Sequence, residues 1–332
     1  FWIDRLGEAR FFDEGDFDTL PKGQTKTSSV TYAVTDQNGV TARATLTAKI
    51  SVDPYRSGDP YVIDNPAKIG LGVHEVKPPG YEREIDYYNS LGAGWYYNWW
   101  YTPVAGPTGM DYVPMIWGDY VTDEALREAL AQAITGTLLG FNEPDVPNQA
   151  DMTVERALEL WPRLESTGLR LGSPAPGKEV LSEDSWLARF MAGVAQRGLR
   201  VDFLALHTYT RNPDVSSLED YLIEVHQKYR LPIWITELAL VDFGDWGRFS
   251  YADNARFLTD AFLMLDDLDF VERYSWFAPV ANGDGLGIQT SFLDPEGRLT
   301  AVGSAYRTLL AGGAVPHLQD DILASEPASA CD

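Results

Sequence analysis

The period of apolar and polar positions changes partway along the chain. From residue 28 to 52, "SSVTYAVTDQNGVTARATLTAKISV" alternates apolar and polar residues on both sides of Asn38-Gly39. That is the two-residue period of a strand, broken by a dipeptide that accepts positive φ, so two strands and a hairpin turn are expected. "DPYRSGDP" (53–60) combines two prolines, a glycine and charges, and reads as a linker. Beyond it, short apolar segments recur: "KIGLGVH" (68–74), "GAGWYYNW" (92–99), "DYVPMIW" (111–117), "TLLGFNE" (137–143), "LRLGSPA" (169–175), "VDFLALHTY" (201–209), "PIWITELAL" (232–240) and "RYSWFAP" (273–279). Between them lie stretches whose apolar positions recur every three or four residues, the period of an amphipathic helix: "TDEALREALAQA", "TVERALELWPRLEST", "SWLARFMAGVAQRG", "SLEDYLIEVHQKY" and "ADNARFLTDAFLMLDDL". Eight strand-like segments alternating with helices over about 250 residues predict an α/β fold, a (β/α)₈ barrel. A doubly wound open sheet is the alternative, but "GLGV" at 70–73 supplies only two glycines of a dinucleotide fingerprint.

With 332 residues, the chain accommodates one such barrel and a small appendage. The expected division is a β-rich segment over 1–52, a linker over 53–65, a catalytic barrel over 66–313 and a C-terminal extension over 314–332. Ten tryptophans are many for this length and suggest flat apolar platforms. Acidic side chains outnumber basic ones 49 to 26, and the net charge of -23 repels nucleic-acid phosphates and anionic lipid headgroups. A neutral partner fits better, with no nucleic acid and no membrane insertion. Cys331 is the only cysteine, which excludes an intrachain disulfide and a cysteine-based metal site. No apolar run reaches the ~18 residues of a membrane span, the sequence contains no basic-apolar leader and its residue 1 is phenylalanine, so a mature product or an excised piece of something longer is expected. The cluster Asp13, Glu14, Asp16 and Asp18 offers oxygen ligands for calcium, although a solvated turn is the preferred reading.

In a (β/α)₈ barrel, polar residues ending a strand point into the mouth where chemistry occurs. Here the strand ends carry His74, Asn98, Trp99, Trp117, Asn142, Glu143, His207, Tyr209, Glu237 and Trp276. Glu143 and Glu237 follow the fourth and seventh apolar segments directly. Either alone reads as a helix N-terminal residue or an ion-pair member; together they face each other across the mouth. Glycoside hydrolysis needs such a pair, one carboxyl group to protonate the leaving oxygen and one to attack or stabilise the anomeric carbon, about 5–5.5 Å apart in a retaining enzyme. Glu143, beside an asparagine and under apolar residues, is the candidate acid/base, since a desolvated carboxyl group holds its proton more readily. Glu237 is the candidate nucleophile. The four histidines, at 74, 207, 226 and 317, form no helical pair, so neither a metal nor a cofactor is expected. "NGDGLG" (282–287) and "DPEG" (294–297) read as loops, and no nucleophile elbow is present.

"NEP" at 142–144, "HTY" at 207–209 and "TE" at 236–237 resemble the clan A glycoside hydrolases, retaining (β/α)₈ enzymes. The fuller set, "GAGWYYNW", "LLGFNEPDVPNQADMTVERALELWP", "LGSPAP", "DFLALHTYT", "PIWITELAL" and "LDPEGRLTAVGSAYRTL", follows the chain in order over residues 66–310 and resembles glycoside hydrolase family 128, whose characterised members are endo-β-1,3-glucanases. The resemblance implies Glu143 as acid/base, Glu237 as nucleophile, Asn142 as partner of the sugar 2-hydroxyl and Tyr209 as the residue holding Glu237. His207 would orient the acid/base, or else be a satisfied core histidine. Trp276 would stack on the sugar ring, or else fill the barrel core. Asn98 and Trp99 would have the analogous role on the second strand, Trp117 and His74 would complete the substrate-binding set, and the helical Trp161 and Trp186 would be structural. The implied enzyme is a monomer at the bacterial cell surface or outside the cell, acting on β-glucan such as laminarin or curdlan without a cofactor. The alternatives are a clan A enzyme acting on xylan, mannan or galactan, or a non-catalytic carbohydrate-binding or adhesive module. Separately, "FDTLPKGQTKTSSVTYAVTDQNGVTARATLTAKI" (17–50) resembles the closing part of cadherin-like repeats of large bacterial surface and secreted proteins.

Overall fold

The alternating segment before residue 52 forms two antiparallel strands of eleven residues each in the computed structural model of the chain. The structure describes residues 2–3, 9–10, 25–35, 41–51, 63–73, 84–106, 108–245, 247–277, 288–294 and 296–311. The chain divides into two units, Phe1–Tyr61 and Val62–Asp332. In the first, β1 (Trp2–Ile3) pairs with β2 (Ala9–Arg10), and β3 (Thr25–Thr35) pairs with β4 (Thr41–Ser51) from Thr25 opposite Ser51 to Thr35 opposite Thr41. The Asn38-Gly39 turn, the acidic cluster at 13–18, the 53–60 stretch, "NGDGLG" and the 314–332 tail all lie outside the described residues.

The second unit runs β5 (Ile69–Gly72), α1 (Glu84–Leu91), β6 (Trp95–Tyr97), β7 (Asp111–Tyr112), α2 (Asp123–Gln132), β8 (Thr137–Leu138), α3 (Val154–Glu165), β9 (Arg170–Leu171), α4 (Trp186–Arg197), β10 (Leu204–Thr210), α5 (Ser216–Tyr229), β11 (Ile233–Leu240), α6 (Tyr251–Asp267), β12 (Val271–Trp276) and α7 (Ala301–Leu310). Six strands form a parallel sheet in the order β10-β11-β12-β5-β6-β7, and β8 pairs with β9 in parallel. Parallel bridges between Met115 and Leu139 and between Gly172 and Phe203 join the two sets. Leu139 N–H donates to Pro114 O at 2.9 Å and Ser173 N–H to Phe203 O at 2.9 Å across these seams. The eight strands therefore follow one another round a (β/α)₈ barrel. The repeat is imperfect at one place: β6 and β7 are joined by residues 98–110 with no helix among the described residues.

Local chemistry accounts for the helix starts. Thr122, Thr153, Ser185, Ser250 and Thr300 precede five of the helices, and each side-chain oxygen accepts the N–H three residues further on. Strand alternation sorts the apolar residues into two layers. Leu71, Tyr96, Leu206, Ile235 and Tyr274 face the helices, whereas Trp95, Tyr97, Val113, Met115, Leu139, Phe203, Ala205 and Trp234 fill the barrel. Phe203 and Trp234 stack at 4.3 Å, and Trp95 lies 5.3 Å from Trp234. Below them, Arg170 makes a two-pronged pair with Glu272 at 2.7 and 2.9 Å, Trp234 Nε1 donates to Glu272 at 2.8 Å, and Arg273 lies over the Trp234 ring. These groups stand at the strand N-termini and close that end, so only the opposite end is open for chemistry.

Candidate active site

Glu143 stands beyond β8, immediately after the bridge by which Asn142 pairs with Ala175. Phe141 anchors the approach by packing edge-on against Trp161 of α3, and Asn142 N–H is taken by Trp117 O at 2.9 Å. At Glu143 the backbone turns to φ 42°, a left-handed conformation that a non-glycine residue adopts at a cost of about 1–3 kcal/mol. Two backbone bonds hold it there: its N–H donates to Ala175 O at 2.8 Å, and its carbonyl accepts Val146 N–H at 3.1 Å. Pro144 lacks an N–H and cannot extend the ladder. The turn lifts the Glu143 carboxylate into the mouth.

Glu237 reaches the same place by a different device. Along β11, Trp234 points into the barrel and Ile233 and Ile235 point to the helices. Simple alternation would send Glu237 outward with the isoleucines. Between β10 and β11 the register slips: Leu206 is opposite Ile235 but His207 is opposite Glu237, leaving Thr236 without a counterpart. One extra residue reverses the faces of everything after it. Glu237 turns inward and Leu238 outward into the helix-facing core.

The inward residues then converge. Tyr97 Oη donates to Glu237 Oε1 at 3.2 Å, Trp99 Nε1 donates to the same oxygen at 2.8 Å, and Tyr209 Oη donates to Oε2. A carboxylate with a side chain only 5% exposed would be costly to bury without such donors. His207, its side chain 1% exposed, lies between the two acids, with Nδ1 2.8 Å from Glu143 Oε1 and Nε2 3.3 Å from Glu237 Oε1. Burial alone would suppress protonation of His207. The Glu237 and Glu143 carboxylates, with Asp145 behind them, outweigh it and hold the imidazole above its ordinary range. Burial, reinforced by Glu237, pushes the Tyr97 and Tyr209 phenols well above theirs, so both remain neutral donors. One oxygen from each glutamate and a ring nitrogen of His207 lie within 4.8 Å of one another.

The same three side chains are of metal-ligating type, yet their surroundings suit an anion. Two phenols and an indole N–H point at Glu237 and would have to be displaced by a cation. A cleft of about 390 Å³ opens beside His207 and Tyr209, walled by Gly177, Tyr221 and Phe243. A larger hollow, about 590 Å³, lies between the loops after β8 and β9; neither Glu143 nor Glu237 lines either cavity, and His207 and Tyr209, which touch the two glutamates, mark the smaller one as the site.

Several expected residues sit differently. Trp276 does not face the mouth: it is fully buried on the helix side, its Nε1 donates to Thr290 O at 2.9 Å, and its ring packs near Phe257 and Phe262 of α6. It shares the face of Tyr274 because the two are two residues apart on a strand. The next residue, Phe277, takes the mouth position, edge-on to Trp99 at 6.2 Å and to Tyr209 at 5.4 Å. Truncating Trp276 to alanine is expected to lower unfolding free energy by about 3–5 kcal/mol, measured by urea denaturation, because it empties the space between β12 and α6. Asn98 is also engaged in structure: its Nδ2 donates to Thr102 O at 2.9 Å and its Oδ1 accepts from Tyr112 Oη at 3.0 Å. Trp117 lies further along the rim, parallel to Tyr120, which meets Trp100. His74 lies outside the described residues. Trp161 and Trp186 are structural, donating to Arg200 O and Met152 O. Tyr97, Phe277 and Gly177 are site residues that the strand-end search passed over. A signal for Tyr97 was present, since Trp95, Tyr97 and Trp99 share one face at a period of two.

Comparison with known proteins bears on the same region. The family model of the glycosyl hydrolase catalytic core matches residues 80–306. An endo-β-1,3-glucanase of glycoside hydrolase family 128, subgroup I, from Amycolatopsis mediterranei, solved in complex with laminaritriose, is 38% identical; the match covers 74% of this chain and 100% of that one, with a TM-score of 0.65. A subgroup II endo-β-1,3-glucanase from Sorangium cellulosum is 30% identical over 73% of this chain and 98% of its own, with a TM-score of 0.57. Alkali-sensitive linkage protein 1 of Schizosaccharomyces pombe is 33% identical over 231 residues, 67% of this chain but only 41% of that protein. The span matched by the family model contains Glu143, His207, Tyr209 and Glu237, the four side chains that the barrel brings together at its open end, and the chain belongs to the glycosyl hydrolase catalytic core family.

Proposed function

We propose that the chain is a retaining endo-β-1,3-glucanase in which Glu237 is the nucleophile and Glu143 the acid/base. The observation that carries this reading is that one oxygen from each glutamate is held within 4.8 Å of the other, a spacing nearer to the retaining than to the inverting arrangement. Retaining enzymes hold the two groups about 5–5.5 Å apart, inverting ones about 6.5–9.5 Å. Glu237, gripped by Tyr97, Trp99 and Tyr209, attacks the anomeric carbon as Glu143 gives its proton to the departing glycosidic oxygen. The glycosyl-enzyme ester is then opened by a water that Glu143 deprotonates, and the anomeric configuration is restored. His207 bridges both carboxylates and keeps them in register through the two steps. Asn142 Oδ1, buried and without a hydrogen-bond partner, is placed to accept the 2-hydroxyl of the sugar being cleaved. Trp99 and Phe277 offer apolar surface to the sugar at the glutamates, and Trp117, Tyr120 and Trp100 continue an aromatic rim around the mouth.

The β-1,3 linkage rests on the family 128 relatives, one of which binds laminaritriose. The acidic charge fits an enzyme that needs no cofactor and works as a monomer on an insoluble or storage glucan outside the cell or at its surface. Incubation with laminarin, curdlan, xylan, mannan and galactan, followed by assay of new reducing ends and product sizes, tests the proposal. Mixed-length laminari-oligosaccharides from the β-1,3-glucans, released first as β-anomers, are expected. No new ends on either β-1,3-glucan, or α-anomers as first products, would overturn it.

A further inference from the structure

Resting on this assignment of Glu143, we propose that Gly177, tethered by Asp145, is a positioning residue for the acid/base. Gly177 is in the loop after β9, where its bare backbone passes against the Glu143 side chain. A Cβ built on Gly177 would lie 3.1 Å from Glu143 Cδ, 3.3 Å from Cγ and 2.5 Å from Val146 Cγ2. Only a residue without a side chain permits that approach. Asp145 fixes it: Oδ1 accepts the Gly177 N–H at 2.8 Å, linking the loop after β8 to the loop after β9.

Glu143 is thus constrained from three directions. Its N–H is bonded to Ala175, two residues before Gly177; its side chain is flanked by Gly177; and its Oε1 meets His207 Nδ1 at 2.8 Å. The left-handed backbone at Glu143 needs such over-determination to persist. Asp145 is therefore not a spare acid beside the site. It seats the backbone wall that sets where the acid/base carboxyl group stands, while the grip of Tyr97, Trp99 and Tyr209 on Glu237 is independent of that wall.

That independence makes the role measurable. Cleaving a glucan bond needs the proton from Glu143, whereas forming the glycosyl-enzyme from a dinitrophenyl β-laminaribioside does not, because the leaving group departs unprotonated. For Gly177→Ala in the full chain, kcat on laminarin is expected to fall about 10²-fold, the scale for displacing a catalytic group by an ångström, with KM changed little. The pre-steady-state burst of dinitrophenolate should keep its wild-type rate within a few-fold, and azide should restore steady-state turnover by replacing the water that Glu143 no longer activates. Asp145→Ala should show the same pattern without adding atoms, and Asp145→Asn should recover most of the loss, since an amide oxygen still accepts from Gly177. If Gly177→Ala fails to fold, Asp145→Ala decides the matter. Equal losses in the burst and on laminarin, or no loss in Asp145→Ala, would overturn the positioning role. A wild-type chain silent on both substrates would instead sink the glucanase assignment on which it rests.

Discussion

Glu237→Ala is expected to cut turnover of β-1,3-glucan by on the order of 10⁴–10⁶-fold, the scale seen when a covalent nucleophile is removed. The reason lies in the convergence of Tyr97, Trp99 and Tyr209 on one carboxylate: among the described residues no other carboxylate in the mouth is held by three such donors. Removing the carboxylate leaves those donors buried without a partner, at about 1–3 kcal/mol each, so the isosteric Glu237→Gln is the better probe of stability. The decisive readout is stereochemical. In Glu237→Ala, azide entering the vacated space attacks a dinitrophenyl β-laminaribioside in a single displacement and yields the α-glycosyl azide. Recovery of the β-azide, or turnover near wild type, would remove Glu237 from the nucleophile role.

Glu143→Ala is expected to lower kcat on laminarin by about 10²–10⁴-fold, the range for loss of general acid–base catalysis. Here azide intercepts an intact glycosyl-enzyme, so the product is the β-glycosyl azide, opposite to that from Glu237→Ala. With a dinitrophenyl leaving group, which departs without a proton, the first step in the same variant should stay within a few-fold of the wild-type rate. A loss on the dinitrophenyl substrate as large as the loss on laminarin, or recovery of the α-azide, would overturn the role given to Glu143.

Much of this site was legible before any coordinate. Apolar runs ending in Asn142-Glu143, His207 and Glu237 point to one end of a barrel, and the structure brings the three together there, although β10 runs on past His207 to Thr210 and β11 past Glu237 to Leu240. Trp276 misleads because an aromatic residue closing a strand suggests the mouth, whereas parity along β12 selects its face. Counting from Tyr274 gives the helix side, and counting one further gives Phe277, the ring that meets Trp99 and Tyr209. Asn98 misled for the same reason, lying between the inward-facing Tyr97 and Trp99. Tyr97 is hard to read from the sequence because Asn98 and Trp99 follow it in the same segment, although it closes β6 and its phenol reaches across the barrel to Glu237.

The sequence by itself determined the succession of strands and helices, the caps that start the helices, and the placing of two glutamates after the fourth and seventh strands. These are local properties, written in periods of two and 3.6 residues and in the chemistry of neighbours along the chain. Only the tertiary structure decided that Glu237 faces inward, because the slip at Thr236 exists in the pairing of β10 with β11 and in neither strand alone. It also decided that Gly177 must be bare and that Trp276 belongs to the core. Each depends on an atom contributed by a segment tens of residues away, and the periodicity of one segment carries no information about the distance to another.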